Sequence, residues 1–416
     1  MDDDNKHQAA IDWDSIPDDA INDVNSHYNY LIENVVKLHN ESFPLVQLKA
    51  SKRRSPRKPW MTAGLVKSCI HKDQLYKAQR LNPTDENKKR FLIYRNKLNK
   101  LLRKTEKLYY TKKFTETKSS IRQTWQVIKS ILNNNNIAKC CDTFCIRGKL
   151  ISDKQTIANE FNNYFANIGS TLAKAISPTT SNFDSFMKGS YKNSFVLYPT
   201  TPEEICQTAA SMPNKESCGY DDISIETMKI AIPFISAPLA RVINNSFSQG
   251  IVPDSTKVAK VLPLFKSGDQ TLLSNYRPIS LLPSFSKIFE RLVYNRLISY
   301  LNKNNILYDY QFGFRSNHDT AMAVTEMVDK IAEAIDSKKI SLGIFIDLSK
   351  AFDTINHNIL IQKLSFYGIR GLSLEWFKSY LSDRSQFVCY SNAKSTVQKI
   401  TCGVPQGSIL GPLLFL

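Results

Sequence analysis

Two short, almost unbroken apolar runs, Val258 to Phe265 and Ile340 to Leu348, constrain the fold of this chain more than any other feature. Strands with one wet face alternate polar and apolar residues, whereas strands covered on both faces read as continuous hydrophobic stretches. Both runs are therefore predicted to be buried strands, with helices from about 286 to 303 and 318 to 336 between them. Strands alternating with helices imply an α/β (α+β) mixture. Further upstream, helical spacing dominates to about residue 250. Thr201-Pro202-Glu203-Glu204 reads as a helix start, with Thr201 as cap, Pro202 in the first helical position and Glu204 closing a capping box.

Charge divides the remainder. Residues 1–48 begin acidic and then place Ala20, Val24, Tyr28, Leu31, Val35 and Leu38 at helical spacing, the pattern of an amphipathic helix. Residues 49–135 form a basic helical extension: from Lys49 to Arg122 there are 23 Lys and Arg against 5 Asp and Glu, enough to account for the net charge of +17. The extension opens with Lys52-Arg53-Arg54-Ser55-Pro56-Arg57-Lys58-Pro59, then sets Phe91, Tyr94, Leu98, Leu101, Leu102 and Leu108 as an apolar stripe among lysines. A charge run can be a solvated face and no more. Its single sign and interleaved aromatics favour nucleic-acid contact, through Lys52, Arg53, Arg54, Arg57 and Lys58 among others. Asn133 to Asn136 marks a break, residues 136–255 a helical lead-in, and residues 256–416 the part with chemistry.

No stretch approaches the roughly 18 apolar residues of a spanning helix. Met1-Asp2-Asp3-Asp4 is acidic where a signal peptide is basic, so the protein is expected to be intracellular, in nucleus or cytoplasm, with no membrane partner. The eight cysteines lack zinc-ribbon spacing and read as free thiols; Cys140, Cys141 and Cys145 cluster without a His at a matching interval.

Joining nucleotides on a template requires divalent ions held by carboxylates, one of them standing at a strand end. Gly343-Ile344-Phe345-Ile346-Asp347 supplies one, because the apolar run would deliver Asp347 where the strand leaves the core. The alternative is an Asp capping the next helix, a role that Asp353, followed by Thr354-Ile355-Asn356-His357, suits better. Gly403-Val404-Pro405-Gln406-Gly407-Ser408-Ile409-Leu410-Gly411-Pro412 forms a loop in which glycines allow close backbone approach and Gln406 offers hydrogen bonds. Lys266-Ser267-Gly268-Asp269 and Asn275-Tyr276-Arg277-Pro278 place two cations where a triphosphate could be clamped. Tyr220-Asp221-Asp222 reads as a turn and helix start.

The order of these motifs, with Gln311-Phe312-Gly313-Phe314-Arg315 and Phe345-Ile346-Asp347-Leu348-Ser349-Lys350-Ala351-Phe352-Asp353, resembles that of non-LTR (LINE-type) retrotransposon reverse transcriptases. The likeness is tight over about 256–416 and looser at Lys58-Pro59-Trp60 and Ser217-Cys218-Gly219-Tyr220-Asp221. It implies a right-hand polymerase with fingers and a partial palm, preceded by a mainly helical extension. It also implies magnesium or manganese, an RNA template, a DNA primer and deoxynucleoside triphosphates. Asp347 would be a catalytic metal ligand, and Phe352 the bulky group that blocks a ribose 2′-hydroxyl. Lys266 and Arg277 would face the triphosphate, Arg315 the template or nucleotide, and Gln406 and Gly407 the base pair and template strand.

The family's aromatic-Ala-Asp-Asp box does not occur before Leu416, so the sequence is expected to be a fragment that does not polymerise alone. A nucleic-acid-binding role without catalysis, or no function at all, are the rival readings.

Overall fold

A computed structural model describes residues 22–44, 58–118, 120–132, 141–176, 183–187 and 191–416, together with Trp13 and Gly189. The chain divides into two compact units, one formed by Met1–Pro44 with Cys141–Leu416 and the other by Leu45–Cys140.

In the first unit, helix α1 (Val24–Ser42) starts at Asp23, whose carboxylate accepts from the Ser26 amide at 2.8 Å. It buries Val24, Tyr28, Leu31, Val35 and Leu38, the predicted stripe; Ala20 lies outside the described residues. The smaller unit carries α2 (Ala63–Leu81), α3 (Asp85–Glu116) and α4 (Ile121–Ile131). Of the stripe expected on α3, Leu98 is buried, Phe91 and Tyr94 meet Tyr76 and His71 of α2, and Leu101 and Leu108 are exposed. The Asn133–Asn136 break lies outside the described residues.

The first unit continues with a hairpin, β1 (Phe144–Ile146) and β2 (Lys149–Ile151), then α5 (Lys154–Ala175), α6 (Pro202–Ser211) and α7 (Ile225–Gln249). Thr201 caps α6 as expected, accepting from the Glu204 amide at 3.2 Å. Glu204 does not close a capping box. Its carboxylate instead takes both terminal nitrogens of buried Arg296, at 2.9 and 2.8 Å, because a desolvated guanidinium needs a charged partner more than an exposed cap amide does. Tyr220-Asp221-Asp222 forms a turn, and Ser224 caps α7.

Strands β3 (Val258–Phe265) and β4 (Tyr276–Leu281) pair antiparallel, with Val261 opposite Ser280. On its other side β3 runs parallel to β5 (Ser385–Tyr390), which also pairs with β6 (Ala393–Lys394) and β7 (Gln398–Lys399). Helices α8 (Ser286–Lys303), α9 (Thr320–Asp336), α10 (His357–Phe366), α11 (Leu372–Leu381) and α12 (Gly411–Phe415) complete this mixed α/β unit. Its larger core joins Tyr28 and Leu31 to Ile235, Leu292, Trp376 and Phe377. A smaller core, with Phe144, Phe161, Tyr276 and Val388, fills the space between α5 and the sheet.

The run Ile340–Leu348 departs from expectation. It is no strand: Ile340, Leu342, Ile344, Phe345, Ile346 and Leu348 are all exposed, and the preceding α9 buries none of its residues. An apolar run becomes a buried strand only where a neighbouring strand takes its amides and carbonyls, and no described strand pairs with this one. None of the described helices is long and apolar enough to cross a membrane.

Candidate functional site

Lys350, at a positive φ of 51°, turns the chain into a short 3-10 helix, Ala351–Asp353. Three residues on, Asn356 caps α10, its side-chain oxygen accepting from the amides of Asn358 and Ile359 at 2.9 and 3.2 Å. The capping role expected of Asp353 therefore belongs to Asn356, which stands one residue before the helix and reaches its first free amides. Asp353 is left free for another partner.

That partner comes from the loop beginning at Gly403. Its backbone docks on the turn: the Val404 amide donates to the Phe352 carbonyl and the Gly403 amide to the Ile355 carbonyl, each at 2.8 Å. His357 Nε2 lies 2.7 Å from the Gly403 carbonyl. The Ser280 amide of β4 donates to the Gln406 carbonyl at 2.9 Å. Gly407, at a φ of +133°, lies so close to the Ser280 carbonyl oxygen that a Cβ would sit 2.5 Å from it. Further along, buried Glu290 of α8 accepts from the Ile409 amide at 2.7 Å and the Tyr380 hydroxyl at 2.6 Å. Burial pushes the Glu290 carboxyl above its ordinary range, against these two bonds.

Within this frame Gln406 Nε2 lies 2.9 and 3.0 Å from the two carboxylate oxygens of Asp353. Burial raises the pKa of Asp353, while the Gln406 bond and the charge of Lys350 oppose the rise. Phe352 is held by Phe314, edge-on at 5.8 Å, and Phe415 at 4.9 Å. Ser280, Asp353, Gln386, Cys402, Gln406 and Arg384 line a cavity of about 30 Å³, room for one or two waters. Arg384 is 2% exposed; its Nη1 donates to the Tyr380 carbonyl at 3.0 Å, and Nε and Nη2 have no partner among the described residues.

The expected cations are elsewhere. Leu264 faces Arg277 across the ribbon, and the Lys266 amide bonds the Asn275 carbonyl at 2.8 Å, so Lys266 and Arg277 share the ribbon's exposed face. Pro278 and Ser280 turn the other way, toward Phe165 and Ala166 of α5 and the cavity beside Gln406. Arg315 bonds the Tyr308 carbonyl through Nη1 at 2.9 Å. Asp347 is exposed within the unpaired run rather than presented at a strand end, for the want of a ladder given above. No three His, Cys, Asp or Glu side chains gather as a metal site among the described residues. In the smaller unit, Lys58 is exposed, its Nζ 5.3 Å from the Trp60 ring centroid. Lys52, Arg53, Arg54 and Arg57 lie outside the described residues.

Phe352, Gln406 and Gly407, singled out from the sequence, thus lie in one cluster with Asp353, expected only as a helix cap, and with Gly169 and Arg384, which no motif marks. Gly169 carries a visible signal, a glycine inside the helical pattern of α5. A Cβ there would collide with the Asp353 carbonyl, so the glycine marks the point where helix and turn touch.

Comparison with known proteins agrees with the motif order. Residues 265–416 match the family described as Reverse transcriptase (RNA-dependent DNA polymerase). The chain is 34% identical over 278 residues to the probable RNA-directed DNA polymerase from transposon BS of Drosophila melanogaster, covering 65% of this chain and 30% of that one. It is 33% identical over 233 residues to the RNA-directed DNA polymerase from mobile element jockey of the same species, covering 56% and 25% respectively. A third relative, the probable RNA-directed DNA polymerase from transposon X-element, is 35% identical over 228 residues, covering 52% and 24%. The chain therefore spans less than a third of the length of each.

Proposed function

We propose, from the premise that residues 265–416 are a reverse transcriptase domain of the non-LTR retrotransposon kind, that this chain supplies the fingers and front palm of an RNA-directed DNA polymerase. The observation that carries the proposal is the docking of the Gln406–Gly407 loop on the Phe352–Asp353 turn, two motifs separated by fifty residues and joined by backbone and side-chain bonds. In this reading Phe352, fixed between two rings, presents the bulk that excludes a ribose 2′-hydroxyl. Lys266 and Arg277 offer two cations on one exposed face to a triphosphate, and Arg315 lies in the segment that would meet template or nucleotide. The exposed lysines of α3 would neutralise RNA phosphates.

Reverse transcriptases use divalent ions, and Asp347 is the carboxylate proposed to meet one. The described residues do not fit magnesium as they stand. The ion asks for several oxygens in near-octahedral array, and no group of three His, Cys, Asp or Glu side chains includes Asp347 among the described residues. One carboxylate cannot assemble that array, and no metal-dependent step is assigned to it. The same observation favours a second reading, in which the chain binds primer and template without joining nucleotides.

The test uses an RNA template with a dideoxy-terminated DNA primer, whose affinity for the protein is measured with and without the matching deoxynucleotide. Nucleotide-dependent tightening is expected, and its absence would sink the polymerase reading. Primer extension with magnesium separates the two readings: incorporation that disappears with Asp347→Asn supports a working metal site, and binding without incorporation supports the second. Replacing Lys97, Lys100, Lys104 and Lys107 by Gln should flatten the salt dependence of RNA binding, by about 0.7–0.9 in log–log slope for each phosphate no longer neutralised. An unchanged slope would remove α3 from the interface.

A further inference from the structure

We infer that Asp353 is a positioning residue that fixes the Gln406 side-chain amide with its nitrogen turned inward and its oxygen turned outward, making Gln406 a hydrogen-bond acceptor toward the incoming nucleotide. The inference rests on the reading of Gln406 as a nucleotide-facing residue. An ionised carboxylate has no proton to give, so only the amide nitrogen of Gln406 satisfies it, and both oxygens of Asp353 lie within 3.0 Å of that nitrogen. The orientation of the amide follows from the chemistry of its partner rather than from the amide's own shape, whose two ends are nearly alike.

The rest of the cluster leaves the pair little freedom. Ser280 holds the Gln406 backbone and the docked Gly403–Val404 segment holds the backbone of the turn. Gly169 closes behind Asp353, and Lys350, over the Tyr164 ring at 5.7 Å, keeps a positive charge near the carboxylate. Nothing among the described residues donates to Gln406 Oε1. The group that would pair with it is a hydroxyl or N–H donor of the nucleotide, on the sugar or on the base.

Three variants and the ternary-complex assay test this. Gln406→Glu sets two carboxylates face to face and should weaken nucleotide-dependent tightening about tenfold or more. Adding Asp353→Asn to it supplies an amide nitrogen for one carboxylate oxygen and leaves the other facing the nucleotide, so the double variant should recover most of the loss. A purely structural Asp353 would make the double variant worse than either single one. Asp353→Asn alone lets residue 353 offer either end to Gln406 and should weaken tightening about threefold, an arm that stands even if Gln406→Glu does not fold. In wild-type protein, comparing a deoxynucleotide with its dideoxy analogue identifies the donor as sugar hydroxyl or base. Whichever response is found is the one the Asp353 variants must reduce. Wild-type protein without nucleotide-dependent tightening would overturn the polymerase reading and this inference with it. Tightening in wild type, with Asp353→Asn unaffected and the double variant no better than Gln406→Glu, would overturn the inference alone.

Discussion

Trp376 and Phe345 are large aromatic side chains in the same unit, yet Trp376 is fully buried and Phe345 is 83% exposed. Trp376 sits on α11 against α7, stacked on Tyr380 and edge-on to Phe247, with its indole nitrogen donating to Ser246 at 3.1 Å. Phe345 lies in a run just as apolar but with no described strand beside it. Hydrophobicity gives a segment something to gain from burial; a partner that satisfies its backbone decides whether the gain is realised. The same contrast holds for carboxylates. Asp221, in the packed region, is raised to about 6 by burial, whereas Asp347 stands exposed on the unpaired run.

The contrast can be broken by substitution. Trp376→Ala should cost about 3–5 kcal/mol in urea unfolding, the usual penalty for emptying a fully buried aromatic site. A loss below about 1 kcal/mol would mean that this core is not tightly packed. Gly169→Ala should cost about 3 kcal/mol, near the upper end for overpacking, because the new methyl meets backbone rather than a side chain that can move. It should also weaken ternary-complex formation, since Asp353 would be displaced.

Asp221→Asn should act in the opposite direction. A carboxyl whose folded pKa is about 6, against an ordinary 3.8, favours the fold when protonated, and that contribution is lost as pH rises through 6. Removing the charge should stabilise the protein by about 2 kcal/mol at pH 7, allowing for partial exposure, by less than about 0.5 kcal/mol near pH 4 and by almost nothing well below the ordinary carboxylate range. Equal effects at both pH values would refute the burial argument. At the small end, Phe345→Ser and Asp347→Asn should each change stability by less than about 0.5 kcal/mol, as exposed positions do. A larger loss in either would show that the run is paired in solution.

Much of the fold is legible in the sequence where a local pattern coincides with a local partner. Val258–Phe265 matches its predicted bounds to the residue but not its predicted burial, since only Ala259 and Val261 are buried and Leu262 and Leu264 are exposed, whereas the stripe of α1 from Val24 to Leu38 matches its buried face. Ile340–Leu348 carries the same signal without a ladder, and composition holds no information about whether a ladder exists. At the site, Phe352, Gln406 and Gly407 stand in recognisable motifs. Asp353 reads as a helix start only while Asn356, three residues on and the better placed cap, is left out of account. Its bond to Gln406 spans fifty-three residues, a separation that no local pattern encodes. Arg384 is as opaque from sequence, since an arginine beside a strand is ordinarily exposed.

The central position of β3 has a consequence for how the chain acquires its sheet. Its antiparallel partner β4 follows within a dozen residues, but Val258 meets its parallel partner Ser385 only much later in the sequence. Closing that longer loop carries an entropic penalty about 2 kcal/mol above that of the hairpin, so the β3–β4 ribbon should form first. During synthesis at roughly 5–20 residues per second, the ribbon would wait about 5–20 s before Ser385 is made. Through that interval the unpaired edge of β3 is open to any strand that reaches it, and wrong pairing there competes directly with completion of the sheet.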